Sequence, residues 1–275
     1  MNLVNNKAIE IQTRRFSGGE RHIQLCNLPK VKPNNLKIQA MVHNSDDLMD
    51  LLLVQNALDN HYGERVFIDL EIPYLPYARQ DRVCSKGQAF SLQLMSQLLK
   101  LLNINKFTTW DCHSSVGIDL TDAINIEATE IIKHSKQLSK LLTNTNSVLI
   151  CPYKGAINRC QKIVDDFTMN PMVLCEKIRN PATGKISHTQ VNSNDLSEKI
   201  AIITDDICDG GYTFIKIAEQ LKKLNAKKII LYVTHGIFSK DLSVFDNLID
   251  EIYTTESFSQ SLNSKLKIIN IGDPS

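Results

Sequence analysis

The chain has 275 residues, of which 43% are hydrophobic and 22% charged, with 11 glycines and 8 prolines; this is the composition of a globular protein of one or two domains and excludes fibrous, collagenous and largely disordered classes. Lysines and arginines total 31 against 30 aspartates and glutamates, a formal net charge of +1, so a general nucleic-acid binder is not expected and any basic site must be local. Seven scattered cysteines without a C-x-x-C pair (Cys26, Cys84, Cys112, Cys151, Cys160, Cys175, Cys208) fit a reducing cytoplasm better than a disulfide framework or a structural zinc site.

Strand-like runs alternate with helix-like ones, which predicts an α/β fold with mainly parallel sheets flanked by helices. Residues 1–6 lack the apolar core of a signal peptide. Residues 36–42 read as a strand, and Ser45 as the cap of a helix whose Leu48, Leu51, Leu52 and Leu58 fall near helical spacing. The most apolar stretch, 48–58, is broken by Asp50, Gln55 and Asn56, so no membrane span is expected. A strand is predicted over 66–72. Residues 73–87 carry two prolines and a knot of charge and should be irregular. A helix over 91–102 and a strand over 104–110 follow. A second cycle starts near Ala128, with strands predicted over 148–151, 172–175, 200–204, 229–233 and 266–271 and helices over 156–167 and 214–224. Counting cycles gives two α/β halves, 1–127 and 128–258, and a tail, 259–275, expected to pack back on the N-terminal half.

In open parallel sheets, ligands bind beyond the carboxyl ends of the strands, where loops meet helix N-termini whose amides attract anions. The clearest such place is Ile200-Ala201-Ile202-Ile203-Thr204-Asp205-Asp206-Ile207-Cys208-Asp209-Gly210-Gly211-Tyr212-Thr213. Gly210 and Gly211 let backbone amides approach a phosphate, and Thr213 adds a hydroxyl at the helix start. Three carboxylates would repel a bare phosphate, so Asp205 and Asp206 either accept hydrogen bonds from vicinal sugar hydroxyls or hold Mg²⁺. Both point to a sugar phosphate, against the plainer reading of an acidic turn capping a helix. A second feature is Glu71-Ile72-Pro73-Tyr74-Leu75-Pro76-Tyr77-Ala78-Arg79-Gln80-Asp81-Arg82. Arg79 and Arg82 offer planar forks for a polyphosphate, Gln80 can bond a base or ribose, and Asp81 can hold the arginines. By charge pattern alone it reads rather as a solvated, salt-bridged loop.

The segment from Asp205 to Thr213 resembles the phosphoribosyl-binding loop of type I phosphoribosyltransferases. Ile72-Pro73-Tyr74 with Tyr77-Ala78-Arg79-Gln80-Asp81-Arg82 resembles the signature of ribose-phosphate pyrophosphokinases, the phosphoribosyl pyrophosphate synthetases. Other stretches match that family in order: Arg15-Phe16-Ser17-Gly18-Gly19-Glu20, Ser45-Asp46-Asp47-Leu48-Met49, Asp111-Cys112-His113, Cys175-Glu176-Lys177-Ile178-Arg179 and Thr234-His235-Gly236-Ile237-Phe238-Ser239.

The resemblance implies two phosphoribosyltransferase-like domains, the N-terminal one binding ATP and the C-terminal one ribose 5-phosphate. The implied reaction moves the pyrophosphoryl group of ATP to the anomeric hydroxyl of the sugar, giving phosphoribosyl pyrophosphate and AMP, with Mg²⁺ as cofactor. Lys177 and Arg179 would be catalytic, and Phe16, Glu20, Arg79, Gln80, Asp81 and His113 would bind ATP. His113 would also serve the metal, and Asp205, Asp206, Asp209, Gly210, Gly211, Tyr212 and Thr213 would bind ribose 5-phosphate. A homo-oligomer, dimeric or hexameric, is implied as well, because Phe16 and Glu20 would complete an adenine pocket formed by Arg79, Gln80 and His113 of another copy. Outside the resemblance, His113 and His235 would read as structural histidines, and Lys177 and Arg179 as a solvated strand edge.

The chain departs from the family pattern in places. Cys151-Pro152-Tyr153-Lys154-Gly155-Ala156 puts Tyr153 where the family usually has a metal-linked aspartate, and Gly18 replaces another aspartate. Residues 83–88 lack the arginine-rich regulatory pattern. Two rival functions share some of these features: a phosphoribosyltransferase, which would leave Arg79 to Arg82, His113 and the second α/β half unexplained, and a non-catalytic, synthetase-like subunit, favoured by Tyr153 and opposed by Lys177 and Arg179.

Overall fold

The computed structural model describes residues 2–4, 9–167, 172–179 and 186–271, and the side chains of all of these except 2–4, 177–179 and 186–189. The chain forms two compact units, Met1–Ile126 and Glu127–Ser275. Each is an α/β sandwich around its own sheet, as the alternating pattern predicts.

In the N-terminal unit a five-stranded sheet runs in the order Asn2–Val4, Lys37–Gln39, Ile68–Glu71, Ile104–Trp110, Ile124–Ile126. The first strand is antiparallel to its neighbour and the rest are parallel. Ile38, Ile68 and Leu70 are buried in its centre, and in sequence they alternate with Lys37, Gln39, Asp69 and Glu71, the period of two that a strand imposes. The strand Ile104–Trp110 has the predicted limits. The strands Glu10–Arg15 and Arg21–Cys26 pair as a separate antiparallel hairpin; the first of them, Glu-Ile-Gln-Thr-Arg-Arg, is almost wholly exposed.

The helix Ser45–Tyr62 is capped by Asn44, not by Ser45. The Asn44 side chain accepts from the amides of Asp46 and Asp47 at 2.9 and 3.1 Å, while the Asp47 carboxylate accepts from the Asn44 amide at 3.1 Å. This reciprocal arrangement satisfies several donors that have no partner within the helix, and the two aspartates of the first turn complement the helix dipole. Gly63 ends the helix with φ 68°, the left-handed conformation that glycine adopts without strain. The predicted helix over 91–102 stops at Leu99 and unwinds through turn bonds from Leu101 to Leu98 and from Leu102 to Leu99. Residues 72–90 are free of helix and strand, as expected. Their start is fastened to the sheet where the Trp110 amide donates to the Pro73 carbonyl at 3.0 Å.

The C-terminal unit carries a seven-stranded sheet in the order Ile186–Val191, Val173–Arg179, Ser147–Cys151, Ile200–Cys208, Lys228–Gly236, Glu251–Thr255, Leu266–Ile269. Only the edge strand Ile186–Val191 is antiparallel. Ala201, Ile203, Ile229 and Leu231 form one buried cluster with Phe214, Ile217, Ala218 and Leu221 of the helix Tyr212–Lys223. These helix residues recur at three- and four-residue spacing, so they form one apolar stripe.

Two further expectations are corrected. The strand in the described part of the tail, expected to pack on the N-terminal half, belongs to the C-terminal sheet. Leu266–Ile269 closes the C-terminal sheet as a parallel strand beside Glu251–Thr255; the Ile252 amide donates to the Lys265 carbonyl at 2.9 Å, and Ile269 is buried. The strand predicted to end at Thr204 continues to Cys208, so Asp205 and Asp206 lie inside a strand rather than in an open loop. Their register, Asp205 opposite Val233 and Ile207 opposite His235, lets ladder bonding carry the strand past two acids that propensity alone would exclude.

Asn44→Ala should lower the stability of the N-terminal unit by about 1 kcal/mol, the usual worth of a helix N-cap. Guanidinium unfolding of the variant beside the parent protein checks this; an unchanged midpoint would show that the cap adds nothing.

Candidate functional site

The C-terminal unit gathers its polar residues at the carboxyl end of Ile200–Cys208. Asp205 and Asp206 are only 3% and 2% exposed, and burying charge without partners is costly. The partners are present. The Tyr153 hydroxyl donates to Asp205 Oδ1 at 3.0 Å, and the Asp206 amide donates to the same oxygen at 3.0 Å. Arg159 Nη1 lies 3.6 Å from Oδ1 of both aspartates. Burial pushes the Asp205 carboxyl well above its ordinary range, the Asp206 charge adds to this, and Arg159 and Tyr153 oppose it. Burial likewise raises the Tyr153 phenol, and the neighbouring Asp205 and Asp206 charges raise it further, so it stays protonated and remains a donor.

Beyond the strand the chain turns tightly. The Cys208 carbonyl accepts from the amides of Ile237 and Phe238 at 2.9 and 3.1 Å, and the Asp209 carboxylate accepts from Ser239 Oγ at 2.6 Å. Gly211 has φ 76°, and a Cβ there would lie 2.5 Å from the Phe245 ring, so both conformation and space require glycine. The helix Tyr212–Lys223 starts at Gly211 without a side-chain cap, which suits amides that are to receive an anion. Gly210 and Thr213 flank this start, both partly exposed, and Tyr212 is exposed with Lys216 Nζ 5.8 Å from its ring centre. Asp205, Asp206, Asp209, Gly210, Gly211, Tyr212 and Thr213 therefore form one continuous feature.

Lys177 and Arg179 belong to the strand Val173–Arg179, opposite Thr189 and Ile186. Their side chains lie outside the described residues.

In the N-terminal unit, residues 72–82 and 111–113 follow the carboxyl ends of the adjacent parallel strands Ile68–Glu71 and Ile104–Trp110. Arg79, Gln80 and His113 are exposed, and Asp81 is partly buried with Oδ1 3.7 Å from Arg82 Nε. Gln80 lines a cavity of about 200 Å³ with His43, Asn44, Tyr74 and Tyr77. Phe16 and Glu20 sit at the tip of the hairpin, in a turn closed by the amide of Phe16 to the carbonyl of Glu20 and the amide of Gly19 to the carbonyl of Phe16, both at 2.9 Å. Phe16 is 48% exposed. The hairpin is tied to the helix Ser45–Tyr62 by the ion pairs Arg15–Asp46 and Arg21–Asp50.

Sequence reasoning missed Arg159 as a partner of the aspartates and treated Tyr153 only as a departure. The available signal was electrostatic: two adjacent carboxylates at the end of an apolar strand need a cation and a donor, and the segment after Ser147–Cys151 carries both. Among the described residues no group of three or more His, Cys, Asp or Glu could hold a metal ion, and no helix is long and apolar enough to cross a membrane.

Residues 1–102 match the model of the N-terminal domain of ribose phosphate pyrophosphokinase, and residues 120–244 match the phosphoribosyl transferase domain. The chain belongs to the ribose-phosphate pyrophosphokinase family. It is 29% identical over 266 residues to the ribose-phosphate pyrophosphokinase of Mycoplasmopsis pulmonis, covering 93% of this chain and 80% of the relative. With the ribose-phosphate pyrophosphokinase of Pyrococcus furiosus the identity is 26% over 264 residues, covering 94% and 89%. The crystal structure of the phosphoribosylpyrophosphate synthetase of Mycobacterium smegmatis superposes with a TM-score of 0.81 at 21% identity, over 96% of this chain and 87% of that one. The fold is thus the two-domain fold of this pyrophosphokinase family, with a mainly parallel sheet in each half.

Gly211→Ala should destabilise the C-terminal unit by about 1–3 kcal/mol, since the new methyl group meets both a left-handed backbone and an aromatic ring. Calorimetric unfolding tests this, and a parent-like transition would mean that the turn relaxes freely.

Proposed function

We propose that this chain transfers the β,γ-pyrophosphoryl group of ATP to the anomeric hydroxyl of ribose 5-phosphate, producing phosphoribosyl pyrophosphate and AMP. The observation that carries this reading is the buried pair Asp205–Asp206 leading directly into a glycine turn and an uncapped helix start. Acids to accept sugar hydroxyls and amides to hold a phosphate are consecutive in one stretch of chain, which suits a ribose phosphate and not a bare anion. The Thr213 hydroxyl adds a further donor for the 5-phosphate.

ATP falls to the N-terminal unit. Arg79 contacts the triphosphate, Gln80 the base or ribose, and Asp81 restrains Arg82; support comes from their place after the carboxyl ends of two adjacent parallel strands. Phe16 supplies an aromatic face for adenine and Glu20 an acceptor for its amino group. The hairpin tip exposes that ring, which favours service to the adenine pocket of a second copy in a homo-oligomer. Seven free cysteines suit a protein working in a reducing cytoplasm.

The sugar hydroxyl oxygen attacks the β-phosphorus, the bond to the α,β-bridging oxygen breaks, AMP leaves and the hydroxyl proton passes to solvent. No protein nucleophile takes part, so positioning and charge neutralisation carry the rate. Lys177 and Arg179 balance charge on the transferred group. Mg²⁺, when bound, neutralises triphosphate charge. It prefers oxygen ligands and readily keeps several waters. His113, exposed after the strand Ile104–Trp110, would be the residue to hold the metal that accompanies the triphosphate.

Purified protein given ATP, Mg²⁺ and ribose 5-phosphate should form AMP and phosphoribosyl pyrophosphate in equal amounts; production of ADP would indicate an ordinary kinase. Lys177→Ala should reduce kcat by about 10²-fold or more with a smaller change in KM, because the cation acts on charge that develops in the transition state. Steady-state kinetics with an unchanged kcat would remove Lys177 from the catalytic set.

A further inference from the structure

Tyr153 and Arg159 converge on the two aspartates from a single stretch of chain. The strand Ser147–Cys151 leads through a 3-10 turn, Lys154–Ala156, into the helix Ile157–Phe167. Tyr153 stands immediately before the turn and Arg159 in the first turn of the helix. The Tyr153 backbone is pinned: its carbonyl accepts from the Ala156 amide at 3.0 Å and from Cys151 Sγ at 3.3 Å. The phenol has a fixed origin and reaches Asp205 as a neutral donor.

The donors are also selective. The Tyr153 hydroxyl, the Asp206 amide and Arg159 Nη1 all address Asp205 Oδ1. An aspartate side chain that would otherwise sample several staggered rotamers is held in one orientation through this oxygen. A carboxylate in place of the phenol would add a third acid where a single guanidinium already faces two, whereas the phenol adds a bond without adding charge.

We propose that Tyr153 is a positioning residue for ribose 5-phosphate, its hydroxyl acting with the Arg159 guanidinium to hold Asp205 in the orientation that accepts a sugar hydroxyl. The proposal rests on the reading of Asp205 and Asp206 as the ribose-binding pair. Tyr153 touches no substrate in this scheme; it acts through Asp205, so its removal should weaken the sugar phosphate and not the nucleotide.

The test compares the parent protein, Tyr153→Phe, Asp205→Asn and the double variant, using calorimetric titration with ribose 5-phosphate in the absence of ATP and steady-state kinetics with each substrate varied in turn. Tyr153→Phe deletes one oxygen and keeps the ring, so the melting temperature should hold. Ribose 5-phosphate binding should weaken about tenfold, as expected for the loss of one buried hydrogen bond, with its KM rising alike and the KM for ATP staying within about twofold. In the Asp205→Asn background the same change should have an effect of less than about twofold, because the partner it acts through is already altered. Unchanged ribose 5-phosphate affinity in Tyr153→Phe, parallel changes in both KM values, or equal effects in the two backgrounds would overturn the proposal. Should Asp205→Asn bind too weakly to titrate, the split between the two KM values decides. A parent protein that binds ribose 5-phosphate but makes no AMP would defeat the activity reading alone, with the titrations still deciding the role of Tyr153. A parent protein that does not bind the sugar phosphate would defeat both.

Discussion

Two carboxylates buried side by side near the end of a parallel strand must be balanced, and the arrangement of the C-terminal unit depends on that balance. Unpartnered, either acid would have to take up a proton or draw in water, since the cost of an isolated buried charge is large. Here a guanidinium lies 3.6 Å from an oxygen of each, a phenol and a backbone amide bond one of them, and the strand continues past both to Cys208. The glycine turn and the helix start at Tyr212 inherit their positions from that extended strand. The acids, the turn and the helix amides form one rigid succession because the ladder on the Lys228–Gly236 side holds the strand through Cys208.

That rigidity matters for the chemistry proposed. Pyrophosphoryl transfer offers little covalent work for side chains, so rate comes from holding the attacking hydroxyl and neutralising charge. Groups carried on strands and helix starts hold position better than groups on open loops. The N-terminal unit follows the same logic with residues 72–82 and 111–113, each issuing from the carboxyl end of a parallel strand, the first bonded at its start to the second strand through Pro73 and Trp110.

The strands that were easiest to read are rich in β-branched and aromatic residues. Ile104–Trp110 was legible to the residue, and the core of Ile200–Cys208 was plain in its apolar run. Legibility failed where residue preference and context disagree. Glu10–Arg15 is a strand made of polar, exposed residues in a hairpin, so neither burial nor alternation betrays it. Asp205 and Asp206 read as loop because acids are disfavoured in strands, yet here the neighbouring strand and Arg159 override that preference. Asn44 displaced Ser45 as the helix cap since both are good caps one residue apart, and only the reciprocal bond with Asp47 decides between them. The last strand, Leu266–Ile269, was foreseen, but its partner Glu251–Thr255 was not, which left the tail without a sheet to join. At the site, the phosphate-binding string was visible because it is contiguous. The Tyr153 and Arg159 contacts were not, because they join a turn and a helix start to a strand distant in sequence and no local pattern announces them.

The central claim is that Asp205 and Asp206 recognise the hydroxyls of a ribose phosphate. It is tested most directly by titrating the protein with ribose 5-phosphate and with 2-deoxyribose 5-phosphate, which differ in a single hydroxyl. A site built to accept a hydrogen bond from that group rejects an analogue lacking it, because a buried acceptor is left unsatisfied. The account predicts that the deoxy sugar binds at least about tenfold more weakly, and that Asp206→Asn narrows the gap. Equal affinities for the two sugars would contradict it and would leave the buried acids with a purely structural role.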